Sequence, residues 1–481
     1  MDYRPATTHA DLGPEFYDEV APAEFPQHIL RHRNQPWAAR VGLEGLSDEQ
    51  WIAHFGRFEP LPGSFPRPLA LRYHGHQFRS YNPDLGDGRG FLFAQLHDRL
   101  DGRLLDLGTK GSGRTPWSRG ADGRLTLKGG VREVLATAML EAQGVYTSKS
   151  FSLIETGEEL QRHDEPSPTR AAVLVRLSHS HIRFGTFQRR AYHKDPDSLQ
   201  RLVDHSIRHY MPELWQDDPA ERGAAFYGRV MANVARLGAQ WMAAGFVHGV
   251  LNTDNINITG ESFDYGPWRW LPTYQPEFTA AYFDYHGLYA YGRQPETLLW
   301  NLAQLGSALL PVVPKQALMN VLDGYEDAVH AEYGSATLRR LGLAPRGAEA
   351  DAALARAFAQ FLEASQVPFE QAWFDWHGGL AREAHAMQGP AAEFYRHESF
   401  AEVRAALRGH APAAGTRTDH PYFARETPCT MLIDEVEAIW APIAAHDDWS
   451  RLDAKLAEIA QMAEAYGTTP ALPEGRGITR A

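Results

Sequence analysis

From Gly90 to Leu96 (GFLFAQL) and from Gly102 to Lys110 (GRLLDLGTK) the chain is dense in apolar residues, and HDRLD separates the two runs. Short apolar runs bounded by Gly and Asp predict strands, here joined as a hairpin. Ser150–Thr156 (SFSLIET) and Arg170–Ser178 (RAAVLVRLS) predict a second hairpin with a long polar connection. Between the pairs, in GGVREVLATAMLEAQG, Val131, Val134, Leu135, Ala138 and Ala142 recur at helical spacing, with Gly144 as the stop. Glu133 interrupts a second apolar side of that helix, formed by Ala136, Thr137 and Leu140. A carboxylate buried there needs a cationic partner; the alternative is a solvated helix face.

Ser47 and Gln50 predict a capping box opening a short helix through Phe55. Residues 1–45 are Pro-rich and predict irregular backbone. Beyond about Leu199 the pattern turns helical, with helices expected over Ala224–Gly245, Pro295–Leu310 and Thr430–Trp440, a loop over Gly409–Pro421 and a loose tail after Thr468. A β-rich first half followed by an α-rich second half predicts the α+β class. Three segments are expected: 1–190, an N-terminal extension with the β-rich lobe; 191–335, a helical lobe; and 336–481, a helical C-terminal region.

Composition narrows the function classes. With 481 residues, 43% hydrophobic and 22% charged, the chain has ample material for a core. A net charge of −13 argues against nucleic acid or an anionic membrane surface as the main partner, since both demand a basic face. Cys429 is the single cysteine, so neither an intrachain disulfide nor a Cys-based zinc site is available. The first twenty residues are acidic and lack an apolar core, and no long uninterrupted apolar window occurs. Cytoplasmic residence is the expectation.

Several motifs carry candidate chemistry. In YNPDLGDGRGF, Gly86, Gly88 and Gly90 would let backbone N–H groups approach an anion, and Arg89 adds a fork for phosphate oxygens; by itself such a stretch is an ordinary turn. Lys110 ends the second strand, where a kinase keeps its phosphate-gripping lysine, and Glu133 is its candidate partner. Arg176 and, seven residues on, Arg183 could clamp a polyphosphate. His179 and His181 lack acidic or Cys partners at ligand spacing and are read as structural. HGVLNTDN keeps the outer spacing of a kinase catalytic loop from His248 to Asn255, but Val250 stands where a kinase has its catalytic aspartate, and Asp254 precedes Asn255 instead. Nine residues after Asn255, DYG places Asp264 at the metal-binding aspartate of a kinase. Asn255 and Asp264 would supply hard oxygens for Mg²⁺, with Mn²⁺ as the alternative.

Together with YHGHQF, TKGSGRTPWSRGADGR, LVRLSHSHIRFG and YGRQPETLLWNLAQL, these motifs resemble the selenoprotein O family over roughly Tyr73 to Leu310. The resemblance implies a protein-kinase-like bilobal fold. It also implies transfer of AMP from ATP to Ser, Thr or Tyr hydroxyls of acceptor proteins, with release of pyrophosphate from a nucleotide bound in flipped orientation. Carried over, Gly86, Gly88, Arg89, Lys110, Asp122, Gly123, Arg176 and Arg183 would hold ATP, Asn255 and Asp264 the metal, Asp254 would accept the proton, and Glu133 would orient Lys110. UMP transfer, ordinary phosphotransfer and an ATP-binding scaffold without catalysis are the competing readings. Three departures stand out: LKGG (Leu127–Gly130) replaces a more polar run, HGHQFRS ends without the usual Gly, and the likeness fades beyond about Ala336, with no terminal Cys or selenocysteine in the tail.

Overall fold

The computed structural model describes residues 3–163 and 165–470. Its strands, in chain order, are Pro5–Ala6 (β1), Tyr17–Glu19 (β2), Ile29–Arg33 (β3), Leu69–Leu71 (β4), Gly75–Gln77 (β5), Ser80–Asn82 (β6), Leu92–His97 (β7), Leu104–Lys110 (β8), Leu125–Thr126 (β9), Lys149–Leu160 (β10), Thr169–Ser178 (β11), Phe246–Val247 (β12) and Arg269–Trp270 (β13). Nine of them form one antiparallel sheet in the order β2-β4-β7-β8-β11-β10-β3, with β1 on β7 and β9 on β11. Both expected hairpins are present, and so is the helix between them, Leu127–Ala142. The remaining chain is mainly helical, which gives the α+β class.

The N-terminal expectation needs correction. Residues 1–45 are not irregular throughout, because β1, β2 and β3 all join the main sheet. These strands have two to five residues and no clean alternation. What fixes them is pairing with partners 50 or more positions away, which local pattern does not encode. The Ser47 capping box forms with both reciprocal bonds. The helix expected from Ala224 begins earlier, at Pro219, because the Asp218 side chain caps it. It ends at Gly245 in the left-handed region, as a glycine stop should. The helix expected over Thr430–Trp440 runs over Ile433–His446. The expected loose tail lies almost wholly outside the described residues. Among those described, no helix is long and apolar enough to cross a membrane.

Alternation along the central strands decides what the site contains. In β11, Val173, Val175 and Leu177 join a core with Trp51, Phe55, Phe93 and Phe151 on one face of the sheet. Ala172 and Leu174 join the opposite core, with Val131, Val134 and Leu135 of the Leu127–Ala142 helix. Arg176 is in phase with that second face. In β8, Leu105 and Leu107 belong to the first face and Leu104 to the second, which puts Lys110 on the second face as well. Adjacent strands therefore deliver Lys110 and Arg176 to one side, opposite the helix carrying Glu133. Each fully buried Val, Leu or Phe in these layers stabilises the arrangement by about 1.5–3 kcal/mol.

Two smaller ladders hold the loops around that side. β12 pairs with β13, Phe246 opposite Trp270 and Val247 opposite Arg269, so the ends of the intervening segment 248–268 are pinned together. β5 and β6 form a tight hairpin with Gln77 opposite Ser80. Its two turn residues, Phe78 and Arg79, have φ of 49° and 63°. That pair of positive values is the demand of a two-residue hairpin turn, usually met by Asn-Gly. Arg79 thus holds, as a non-glycine, a backbone conformation that glycine adopts freely.

Candidate nucleotide-transfer site

The side of the sheet bearing Lys110 and Arg176 opens into a cleft of about 300 Å³. The glycine-rich stretch, the loop after β8 and the 248–268 segment meet there. Lining it are five cationic side chains, Arg89, Lys110, Arg119, Arg176 and Arg183, against three carboxylates, Asp87, Asp254 and Asp264. Such a cationic excess in a small cavity suits a polyphosphate.

Lys110 is buried, and its Nζ lies 2.5 Å from Glu133 Oε1 and 3.1 Å from Asp264 Oδ1. Glu133 is 1% exposed, which rules out the solvated helix face. Arg176 donates to the same Asp264 Oδ1 at 3.1 Å. Burial alone would raise the Asp264 carboxyl, but Lys110, Arg176, Arg183 and Arg89 together hold it well below the usual carboxylate range. Asp264 also takes φ of 62°, a left-handed conformation that Asp tolerates better than most residues. Glu133→Gln keeps the shape but loses the charge that holds Lys110 in place. We expect a loss of roughly 10–100-fold in turnover, the scale of a supporting contact one shell out. Steady-state rates at saturating ATP check it, and wild-type turnover would reduce Glu133 to a structural counter-ion.

Arg183 is fully desolvated. Its guanidinium stacks 4.3 Å over the Tyr73 ring, donates to Asp87 Oδ1 at 3.3 Å and reaches the Asp254 carbonyl at 3.3 Å. Asp254 is 8% exposed, and its Oδ1 is buried with no hydrogen-bond partner. Burial, opposed by Arg183, pushes this carboxyl up to about 7. A carboxyl tuned near neutrality on a residue that lines the cleft, with one oxygen lacking a hydrogen-bond partner, fits a proton acceptor for an incoming hydroxyl.

Asn255 follows in the same 3₁₀ turn, Thr253–Asn255, but does not line the cleft. Its Nδ2 donates to Val250 O at 3.0 Å, which leaves the amide oxygen as its donor atom for a cation. Lys110 and Arg176 both meet Asp264 at Oδ1, so neither occupies Oδ2. Among the described residues no group of three or more His, Cys, Asp and Glu could cage a metal. Asn255 and Asp264 each offer a hard oxygen, and a cation held by them would need substrate phosphates and water to complete its shell, as suits Mg²⁺. His181 is buried and His179 half-buried, the latter with its Nδ1 2.6 Å from the Tyr146 hydroxyl.

Asp122 and Gly123 are placed differently from the rest. Asp122 pairs with Arg162 at 2.7 Å and accepts from the Arg124 backbone, and it is Ala121 that reaches the cleft lining. Gly123 has φ of 72°, and a Cβ there would lie 2.3 Å from the Gly113 backbone, so it serves the fold of this loop.

The glycines of the DLGDGRG stretch also have a reason that the sequence did not disclose. A Cβ on Gly86 would fall 2.4 Å from the Trp117 ring, one on Gly88 2.8 Å from Trp117 O, and one on Gly90 2.0 Å from Thr109 O. The loop after β8 packs directly on the glycine-rich stretch. Asp87, Trp117, Ser118 and Arg119 enter the cleft this way, and sequence reasoning missed all four; their only signal was their place inside the quoted motifs. Gly75 was missed too. It faces Asp254, whose Oδ1 would sit 2.9 Å from an added Cβ.

A family model described as protein adenylyltransferase SelO matches residues 1–460, continuing well past Ala336, where the motif resemblance fades. Among curated relatives, the protein nucleotidyltransferase YdiU of Trichodesmium erythraeum is 43% identical over 479 residues, covering 93% of this chain and 96% of its own length. That of Gloeobacter violaceus is 45% identical, covering 93% of each chain. That of Klebsiella pneumoniae is 37% identical over 341 residues, covering 70% of this chain and 69% of its own.

Proposed function

This chain belongs to the SelO family of protein adenylyltransferases, and from that premise we propose how its cleft transfers AMP from ATP to protein hydroxyls. Lys110, Arg89, Arg176 and Arg183 take the phosphates, with the terminal phosphate innermost and the α-phosphorus toward Asp254. The acceptor oxygen attacks the α-phosphorus, the bond from that phosphorus to the bridging oxygen breaks, and pyrophosphate leaves. Asp254 takes the hydroxyl proton. A divalent cation, Mg²⁺ or Mn²⁺, held by Asn255 and Asp264 would offset charge on the departing pyrophosphate.

The observation that carries this reading is the pairing of Val250 with the orphaned Asp254 Oδ1. Proton acceptance has no group at the kinase position and a tuned one four residues on. The delivery of Lys110, Glu133 and Arg176 from a sheet and helix, against a loop from the helical half, supports a protein-kinase-like bilobal arrangement, with the β-rich lobe ending near residue 190. The family's chemistry and the lack of a membrane-crossing helix among the described residues are compatible with cytoplasmic acceptors.

The test uses the full chain, a mixed protein extract as acceptor, and ATP labelled at the α or the γ position. Label is expected in protein only from α-labelled ATP, with a mass gain equal to AMP. Incorporation from γ-labelled ATP would make the protein a phosphotransferase. A stronger signal from α-labelled UTP would replace AMP by UMP, and no incorporation with intact ATP binding would leave a nucleotide-binding scaffold.

A further inference from the structure

Three of the nine exposed large apolar side chains among the described residues, Phe78 at 39%, Tyr282 at 76% and Phe283 at 38% exposure, touch ring to ring on the hairpin and turn bonded to Asn252 and Thr253, and Tyr285 at 84% follows two residues on. Ring centroids of Phe78 and Phe283 are 5.8 Å apart, and those of Tyr282 and Phe283 are 5.1 Å apart. A contiguous aromatic patch on a protein surface usually has an occupant.

The patch is tied to the catalytic loop by hydrogen bonds. The Phe78 N–H donates to Asn252 Oδ1 at 3.2 Å and to the Tyr289 hydroxyl at 3.1 Å, and that hydroxyl donates to the same Asn252 oxygen at 2.7 Å. The His76 N–H donates to Thr253 Oγ1 at 2.7 Å. Asp254 is the next residue. The buried Asp284 carboxylate accepts from the N–H groups of Leu288 and Tyr289, which fixes the turn presenting Tyr282, Phe283 and Tyr285. The hairpin tip holds Phe78 outward on a backbone that only glycine adopts freely. Strain kept at a cleft mouth is a mark of function. The backbone that presents these rings is therefore held by hydrogen bonds before anything binds, which lowers the entropy lost on binding.

We propose that this patch docks the acceptor protein, taking an extended segment that carries an aromatic or large aliphatic side chain close to the modified hydroxyl. The inference rests on the transfer reaction proposed above. An acceptor hydroxyl placed at Asp254 must thread its flanking residues over the nearest surface, and that surface is aromatic and continuous with the catalytic loop through Asn252 and Thr253.

Two serine peptides of equal length and charge test it, one with Phe on either side of the serine and one with Ala. The full chain is compared with the Tyr282→Ser/Phe283→Ser/Tyr285→Ser variant and with Phe283→Leu. Wild type should favour the Phe peptide by about tenfold or more in kcat/KM, the scale of one good interface contact. The triple variant should lose that preference through KM for peptide, with KM for ATP unchanged, and Phe283→Leu should retain most of it. Fluorescence anisotropy of labelled peptide without ATP should show the same ranking. Equal use of both peptides by wild type, or a preference that survives the triple variant, overturns the inference while leaving the reaction standing. Failure of wild type to label any protein from α-labelled ATP removes both. A dimer in sedimentation that the triple variant dissolves, with peptide preference intact, gives the patch to a second copy of the chain and overturns docking.

Discussion

Asp254→Asn should cut AMP transfer by about 10²–10⁴-fold while leaving ATP affinity within a few-fold of wild type, the range expected when a general base is lost but geometry is kept. Asn fills the same volume, so the pocket bounded by Gly75, Leu85 and Arg183 stays packed. What is removed is the ability to take a proton at an oxygen that has no other partner. Single-turnover transfer from α-labelled ATP, with nucleotide binding measured separately, resolves the two effects. Gly75→Ala is a useful companion, because it keeps the carboxyl group but displaces it. A comparable rate loss from that variant would show that position and not charge alone matters. Transfer by Asp254→Asn within about threefold of wild type would remove Asp254 from the proton step.

Asp264→Ala is expected to be at least as severe for the rate and worse for stability. Asp264 is where Lys110 and Arg176 meet, and Arg183 and Arg89 add to the positive field around it. Without it, Arg176 loses the Asp264 carboxylate; breaking a fully buried pair costs about 3–5 kcal/mol, and less here because the Asp264 side chain is 22% exposed. The melting temperature should therefore fall by several degrees. Glu133 still holds Lys110, so the fold should survive at 20 °C. Loss of a metal-ligating carboxylate removes several kcal/mol of transition-state stabilisation, which corresponds to roughly 10²–10⁴ in rate. Titrating Mg²⁺ and Mn²⁺ against the variant separates a weakened metal site from an abolished one. An unchanged metal requirement and unchanged turnover would place the metal elsewhere.

Legibility in the sequence followed the range of the interaction. Both central hairpins and the helix between them could be read because their apolar periods are local and long. The Lys110–Glu133 pair could be read because Lys110 ends the second strand, where a kinase keeps its lysine, and Glu133 interrupts an otherwise apolar helix side. β1, β2 and β3 could not, since two to five residues carry too little periodicity and their partners lie far along the chain. Gly75, Asp87 and Trp117 were invisible for a related reason. Each acts through a neighbour across a loop–loop contact, and only coordinates show that Trp117 lies on Gly86 or that Gly75 makes room for Asp254. Asp122 shows the reverse case, where a motif position suggests nucleotide contact and the side chain is engaged with Arg162.

The helix that carries Glu133 is braced from a distant part of the chain. Lys128 near its start bonds Glu437, and the Ala142 carbonyl at its end accepts from Thr468, a contact between residues 326 positions apart. The Ser450–Tyr466 helix packs along it between those points. A ribosome delivers these segments tens of seconds apart at about 5–20 residues per second: sheet and Glu133 first, brace last, with folding proceeding from the N-terminal side as synthesis runs. The nascent chain can thus pair Lys110 with Glu133 early, while the brace along that helix closes only once residue 468 has emerged.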